Sequence, residues 1–143
     1  MPSLANVVGI ENVDDPFKEK VIQIAADLKT DPNFLMAVMS FETGGSFSPS
    51  ERNKFTNATG LIQFMPSTAK GLGTTIEELA KMSQLRQLDF VEAYLKPFRN
   101  RLKTLEDAYM AVLMPVAVGK GAQHVLFKKG TIAYKQNPGL DLN

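Results

Sequence analysis

The ten residues from Asn33 to Glu42 constrain this chain most. They read NFLMAVMSFE, and Phe34, Leu35, Met36, Val38, Met39 and Phe41 leave a helix of this stretch no wide polar face to give to water. Such a helix has to be surrounded by others. Its ends are marked by the flanking residues: Thr30-Asp31-Pro32 supplies a capping side chain followed by proline at the first helical position, and Gly44-Gly45 supplies residues that leave a helix with positive φ. Glu42, the one acid in the run, therefore falls in the last turn. There the negative end of the helix dipole and the apolar neighbours both disfavour a carboxylate, so its pKa is expected to rise towards the range in which a carboxyl group donates a proton near neutral pH. The competing reading is an exposed, inert Glu at a fraying helix end, the ordinary fate of a lone acid.

The remaining segments read as the helices that surround it. Asp15-Pro16 opens a first helix in which Phe17, Val21, Ile24, Ala25 and Leu28 form one apolar stripe. Gly44 to Thr59 is rich in Gly, Ser, Asn and Thr and reads as a loop, with a small hairpin as a variant, roofing a cleft beside Glu42. Pro66 starts a short helix through Ala69 or Lys70, closed by Gly71 and Gly73. Thr74 with Glu77, or Thr75 with Glu78, makes a capping box for the next. Ser83 caps another, in which Leu85, Leu88, Val91, Leu95, Phe98 and Leu102 recur by three or four and which Pro97 should kink or split. Thr104 and Asp107 frame a last main helix from Leu105 to Met114, stopped by Pro115; Tyr109, if buried in it, needs a partner for its hydroxyl. The expectation is a mainly all-α domain of about six or seven helices with little or no sheet. One domain is expected over 1–143, with a core over about 16–118 and a surface tail over 128–143.

Composition removes several classes of function. There is no cysteine, hence no disulfide framework or thiolate metal site, and the single histidine, His124, argues against a zinc site or a histidine-based catalytic pair. Asp141-Leu142-Asn143 fits only the first two ligand positions of a calcium loop, so neither metal nor cofactor is expected. Met1 to Gly9 lacks the basic start and apolar run of a secretory signal, and no stretch reaches transmembrane length. Met1 to Leu95 carries 8 basic and 12 acidic residues, whereas Lys96 to Lys135 carries 8 basic and 2 acidic. That basic half could favour an anionic surface such as a bacterial wall, although a solvated face is the simpler reading, and no nucleic-acid motif accompanies it.

The segment Gly60-Leu61-Ile62-Gln63-Phe64-Met65-Pro66-Ser67-Thr68-Ala69, preceded by Glu42-Thr43-Gly44-Gly45-Ser46-Phe47-Ser48-Pro49, resembles the SLT-type lytic transglycosylases of the lysozyme-like superfamily, especially the compact versions of bacteriophage lysis and tail proteins. The family's Glu-Ser-x-Phe-x-Pro segment is two residues longer here, and its Ala-Tyr-Asn-Ala-Gly segment survives only as Ala108-Tyr109-Met110-Ala111-Val112. The resemblance runs from about Pro16 to Val118 and implies a lysozyme-like domain acting, as a monomer, on peptidoglycan glycan strands. The implied reaction cleaves the β-1,4 bond between N-acetylmuramic acid and N-acetylglucosamine, with Glu42 acting first as acid and then as base and a 1,6-anhydro ring as product. It also implies Gln63 and Tyr109 as substrate-facing residues, and Ser46, Asn53, Thr56 and Phe64 complete the candidate binding set.

Glu51 separates this reading from hydrolysis. It lies nine positions after Glu42, with Thr56 five further on, an order similar to the Glu, Asp and Thr of inverting phage lysozymes. A second carboxylate would activate water or attack the sugar. The alternatives are therefore a muramidase using Glu42 with Glu51, an ordinary solvated Glu51, or a glycan-binding or virion structural module without turnover. A phage enzyme made in the host cytoplasm and delivered to the wall at lysis or in the virion is the expected setting.

Overall fold

The computed structural model describes residue 4 and residues 6–119. The tail expected over 128–143, His124, the lysines at 120, 128, 129 and 135, and the terminal Asp-Leu-Asn lie outside them. Six α-helices are present among the described residues: α1 (Asp15–Leu28), α2 (Pro32–Glu42), α3 (Pro66–Gly71), α4 (Ile76–Lys81), α5 (Gln84–Leu95) and α6 (Leu105–Leu113). Short 3-10 turns lie at Ile10–Asn12, Lys96–Phe98 and Pro115–Ala117. No sheet forms among these residues; two isolated antiparallel bridges, Arg52 with Thr59 and Thr59 with Phe64, are all the strand pairing.

The helices begin where the capping residues direct. Asp14, Asp31, Thr75, Ser83 and Thr104 each accept a backbone N–H of the first turn, satisfying donors that have no partner inside the helix. Of the two possible capping boxes, the structure uses Thr75 with Glu78; Thr74 Oγ1 is buried without a partner. Pro97 ends α5 at Leu95 by converting the chain to a 3-10 turn, which tolerates its missing N–H.

As its sequence requires, α2 is enclosed: α1 packs on one side and α6 on another, while α5 backs α1. Leu35, Met36, Val38, Met39 and Phe41 join Phe17, Val21, Ile24, Leu88, Val91 and Met110 in one apolar core. Polar ties seat the C-terminal end of α2. Ser40 Oγ donates to Val8 O at 2.6 Å and Asn12 Nδ2 donates to Gly45 O at 2.9 Å, so residues 8–12 strap the chain just past Glu42.

The stripe read on α5 needs one correction. Leu85 is 40% exposed, and Gln87 is fully buried. Gln87 Oε1 accepts Leu61 N–H at 2.7 Å, and Nε2 donates to Pro49 O at 3.0 Å and Leu79 O at 2.9 Å. Both N–H groups and the oxygen of the amide are bonded within the protein, which is how a polar side chain is accommodated in a core. Gly60 explains itself by the same contact. A Cβ there would sit 2.4 Å from Gln87 Oε1, at a φ of +92° that favours glycine in any case.

Candidate active site

Helix α2 ends in a motif that fixes Glu42. Gly45 N–H donates to Ser40 O at 2.7 Å and Gly44 N–H donates to Phe41 O at 3.2 Å, with Gly44 at φ +62°. This paired closure needs a left-handed residue just past the helix, which Gly44 supplies. Thr43 adds a second brace: its hydroxyl donates to Met39 O and accepts Phe47 N–H. Glu42 is thus the last helical residue on a rigid end, not a fraying one.

Its side chain lines a cleft of about 690 Å³, together with Glu51, Arg52, Asn53, Lys54, Thr56 and Gln63. Burial pushes the Glu42 pKa up to about 7. Desolvation is the resolved cause, so the apolar surroundings expected from sequence carry the shift. Two tyrosine hydroxyls lie near enough to feel its charge. Tyr94 and Tyr109 are both pushed up, chiefly by burial and further by Glu42. Tyr94 Oη donates to Ala111 O.

Tyr109 departs from expectation. It is only 1% exposed, packs on Phe41 at 4.2 Å between ring centroids, and does not line the cleft. Its hydroxyl is buried without a hydrogen-bond partner. In this geometry the hydroxyl does not open onto the cleft, and its nearest link to the chemistry is the charge of Glu42. Because an unpaired buried hydroxyl contributes no hydrogen bond, Tyr109→Phe is expected to preserve stability or raise it by up to about 1 kcal/mol. A melting temperature several degrees below wild type would show instead that the hydroxyl is bonded.

Glu51 lines the same cleft as Glu42, and its Oε1 accepts the Ser46 hydroxyl at 2.9 Å. Ser46, expected to bind substrate, is outside the lining; it holds Glu51 and also accepts Ser48 N–H. Gln63 closes the turn 60–63 in the left-handed conformation, φ +57°, where a residue other than glycine is strained. The Gln63 Nε2 donates to Glu51 O at 2.9 Å and to Gly60 O at 3.0 Å. The donor half of the amide, expected to meet sugar, is therefore occupied in fixing the Glu51 loop. Only Oε1 remains to accept from a ligand.

Asn53 and Thr56 also line the cleft, on a loop that Asn53 itself shapes. Asn53 Oδ1 accepts the N–H groups of Phe55 and Thr56, and Thr56 Oγ1 accepts Ala58 N–H. Phe64 is corrected: it is 2% exposed, off the cleft, and meets Tyr94 edge-on at 6.5 Å. Pairing with Thr59 turns its side chain into the core, while Met65, half-exposed, takes the cleft wall. Phe55, Lys54 and Leu113 also line the cleft and were not among the site residues read from sequence. An aromatic inside the polar run Asn53 to Asn57 was the available signal. The basic residues Lys96, Arg99, Arg101 and Lys103 are exposed but lie off the cleft.

Among the described residues no three His, Cys, Asp or Glu side chains are grouped to hold a metal, and no helix is long and apolar enough to cross a membrane. A mainly helical domain with one carboxyl of near-neutral pKa set in the wall of an open groove has the arrangement of a lysozyme-like, glycan-cleaving domain. Residues 19–121 match the family described as "Transglycosylase SLT domain", and the chain belongs to that family. Membership implies lytic transglycosylase activity on peptidoglycan. No curated protein and no solved structure matches the chain significantly.

Proposed function

We propose that this domain cleaves the β-1,4 bond between N-acetylmuramic acid and N-acetylglucosamine without water, leaving a 1,6-anhydro end. The observation that carries the reading is Glu42, held by burial at a pKa of about 7 in the cleft. A carboxyl group so poised is protonated in a large fraction of molecules at neutral pH and is still a usable base once the proton has gone. In the first step it gives its proton to the bridging oxygen as the C1–O4 bond breaks. The electron-poor C1 is then attacked by O6 of the same muramyl residue, whose hydroxyl proton returns to Glu42. The acid is regenerated and no second carboxylate takes part. Gln63 Oε1 supplies an acceptor for a sugar hydroxyl or amide.

One arrangement favours a second reading. Glu42, Glu51 and Thr56 line one cleft, the trio that a hydrolase with water activated by Glu51 would use. Mass spectrometry of digested sacculi separates the two: anhydro ends, lighter by one water, for transglycosylation, and reducing ends for hydrolysis. Glu51→Gln is expected to retain most activity, and its abolition would hand the reaction to the hydrolytic scheme. Since Glu42 must start protonated, kcat/KM is expected to fall about tenfold per pH unit above about 7. A rate still rising at pH 9 would exclude Glu42 as the acid.

For the cellular setting we propose a bacteriophage lysis or tail role, supported by the resemblance to compact phage versions. Expression inside a Gram-negative host, alone and then with a membrane-permeabilising partner, tests it. Lysis only with the partner is the expected result for a lysis enzyme.

A further inference from the structure

Of the six large apolar side chains exposed among the described residues, three, Phe55, Met65 and Leu113, fall on the lining of this one cleft. Phe55 is the extreme case at 96% exposed. Single exposed apolar residues are ordinary, but an aromatic held out in water on a braced loop is not what folding alone selects. The brace is explicit: Asn53 Oδ1 accepts Phe55 N–H at 2.8 Å and Thr56 N–H at 3.1 Å, Asn57 N–H donates to Asn53 O, and Asn53 N–H donates to Ala58 O. The loop is pre-organised, so a ligand that meets Phe55 does not have to order it.

Lys54 stands beside it. The cleft carries two cations, Arg52 and Lys54. The Arg52 guanidinium is tied to the protein, with Nε donating to Thr59 Oγ1 at 2.9 Å and Nη2 to Ile76 O at 3.4 Å. Lys54 is exposed and has no ion-pair or hydrogen-bond partner among the described residues. An exposed ammonium and an exposed aromatic ring on consecutive residues of the cleft lining suit a ligand that offers an apolar sugar face and a carboxylate.

We propose that Lys54 and Phe55 form a specificity element that reads the substituent of the muramyl residue, Phe55 against the sugar face and Lys54 on a carboxylate carried by the lactyl group or its attached peptide. The inference rests on the glycan-cleaving reading above, and it makes this domain selective for acidic, muramyl-containing strands over neutral chitin-like ones. Neither residue touches the reacting atoms. They set which strand is bound.

The test measures binding on a Glu42→Gln background, so that it does not depend on turnover. Three ligands are compared by calorimetry: a neutral N-acetylglucosamine oligomer, glycan strands stripped of peptide, and strands bearing peptide stems. Tighter binding of acidic strands than of the neutral oligomer is expected, with Lys54→Ala reducing that preference about fivefold, the scale of an exposed ion pair, and 0.5 M salt doing the same. Phe55→Ala is expected to weaken all three ligands about tenfold, as loss of an aromatic anchor does, with little salt dependence. Stripped strands, whose lactyl carboxylate is no longer masked by the amide to the peptide, would assign the contact to the lactyl group by binding more tightly than stem-bearing ones; binding like the neutral oligomer would assign it to the peptide. Equal affinities across the three ligands, or a preference untouched by Lys54→Ala, overturn the proposal. Absence of cleavage by the wild type would sink the proposed function instead, and the binding series would still decide this one.

Discussion

Glu42→Gln is expected to lower peptidoglycan cleavage about a thousandfold or more while leaving the fold intact, because it removes the one group proposed both to give a proton to the leaving oxygen and to take one back from O6. The amide keeps the shape of the acid and fits the same half-buried niche at the end of α2. Loss of activity with retained strand binding is the expected pattern, since the proposed role is chemical and not adhesive. A variant that still releases anhydro products at a tenth of the wild-type rate would remove Glu42 from the mechanism.

The same substitution carries a stability signature that a purely functional test lacks. Burial raises the Glu42 pKa from 4.5 to about 7 in the folded chain, so between those values the native state holds a proton that the unfolded chain has released. Native stability therefore falls as pH rises through this window, by up to about 3 kcal/mol once the carboxylate is fully charged. Glutamine has no charge to bury. Glu42→Gln is expected to be the more stable protein at pH 8 and nearly equal to wild type at pH 5, in chemical denaturation at the two pH values. Parallel curves for the two proteins would mean that the carboxylate is well hydrated and has no raised pKa to use in catalysis.

That Glu42 is special was legible in the sequence because local chemistry brackets it: Asp31-Pro32 starts the helix, the unbroken apolar run buries it, and Gly44-Gly45 closes it just past the acid. Each signal is short-range, and the structure uses each one. The partners of Glu51 and Gln63 were not legible, because they depend on where the loop between 44 and 64 folds back on itself. A hydroxyl at Ser46 and an amide at Gln63 look like ligand-binding groups when read in line; folded, they hold the side chain and the carbonyl of Glu51. Phe64 and Met65 show the same limit. Alternation says that adjacent residues face opposite ways near a bridge, but only the pairing of Thr59 with Phe64 decides which faces the core. Tyr109 was expected to find a hydroxyl partner and has none; what the structure shows holding the ring is its packing against Phe41.

The largest stability effect lies at a residue whose importance periodicity hides. Gln87 sits four positions before Val91, on the buried face of α5, yet its polarity removes it from any apolar stripe, while Leu85 enters the stripe and faces water. Its amide joins three separate segments at once, through Pro49 O, Leu61 N–H and Leu79 O. Gln87→Leu nearly conserves volume, so the loss comes from stranding Leu61 N–H and Pro49 O, while Leu79 O keeps its bond from Met82 N–H, and not from a cavity. The expected cost is about 4 kcal/mol, a large share of what a domain of this size has to spare. It should appear as a lower denaturant midpoint at unchanged slope. The position of those bonds adds a functional consequence: Pro49 and Leu61 flank the segments that carry Glu51 and Gln63, so cleavage should fall at temperatures where α2 is still folded. A loss below about 1 kcal/mol would mean that water replaces the amide and that the loop is held from elsewhere.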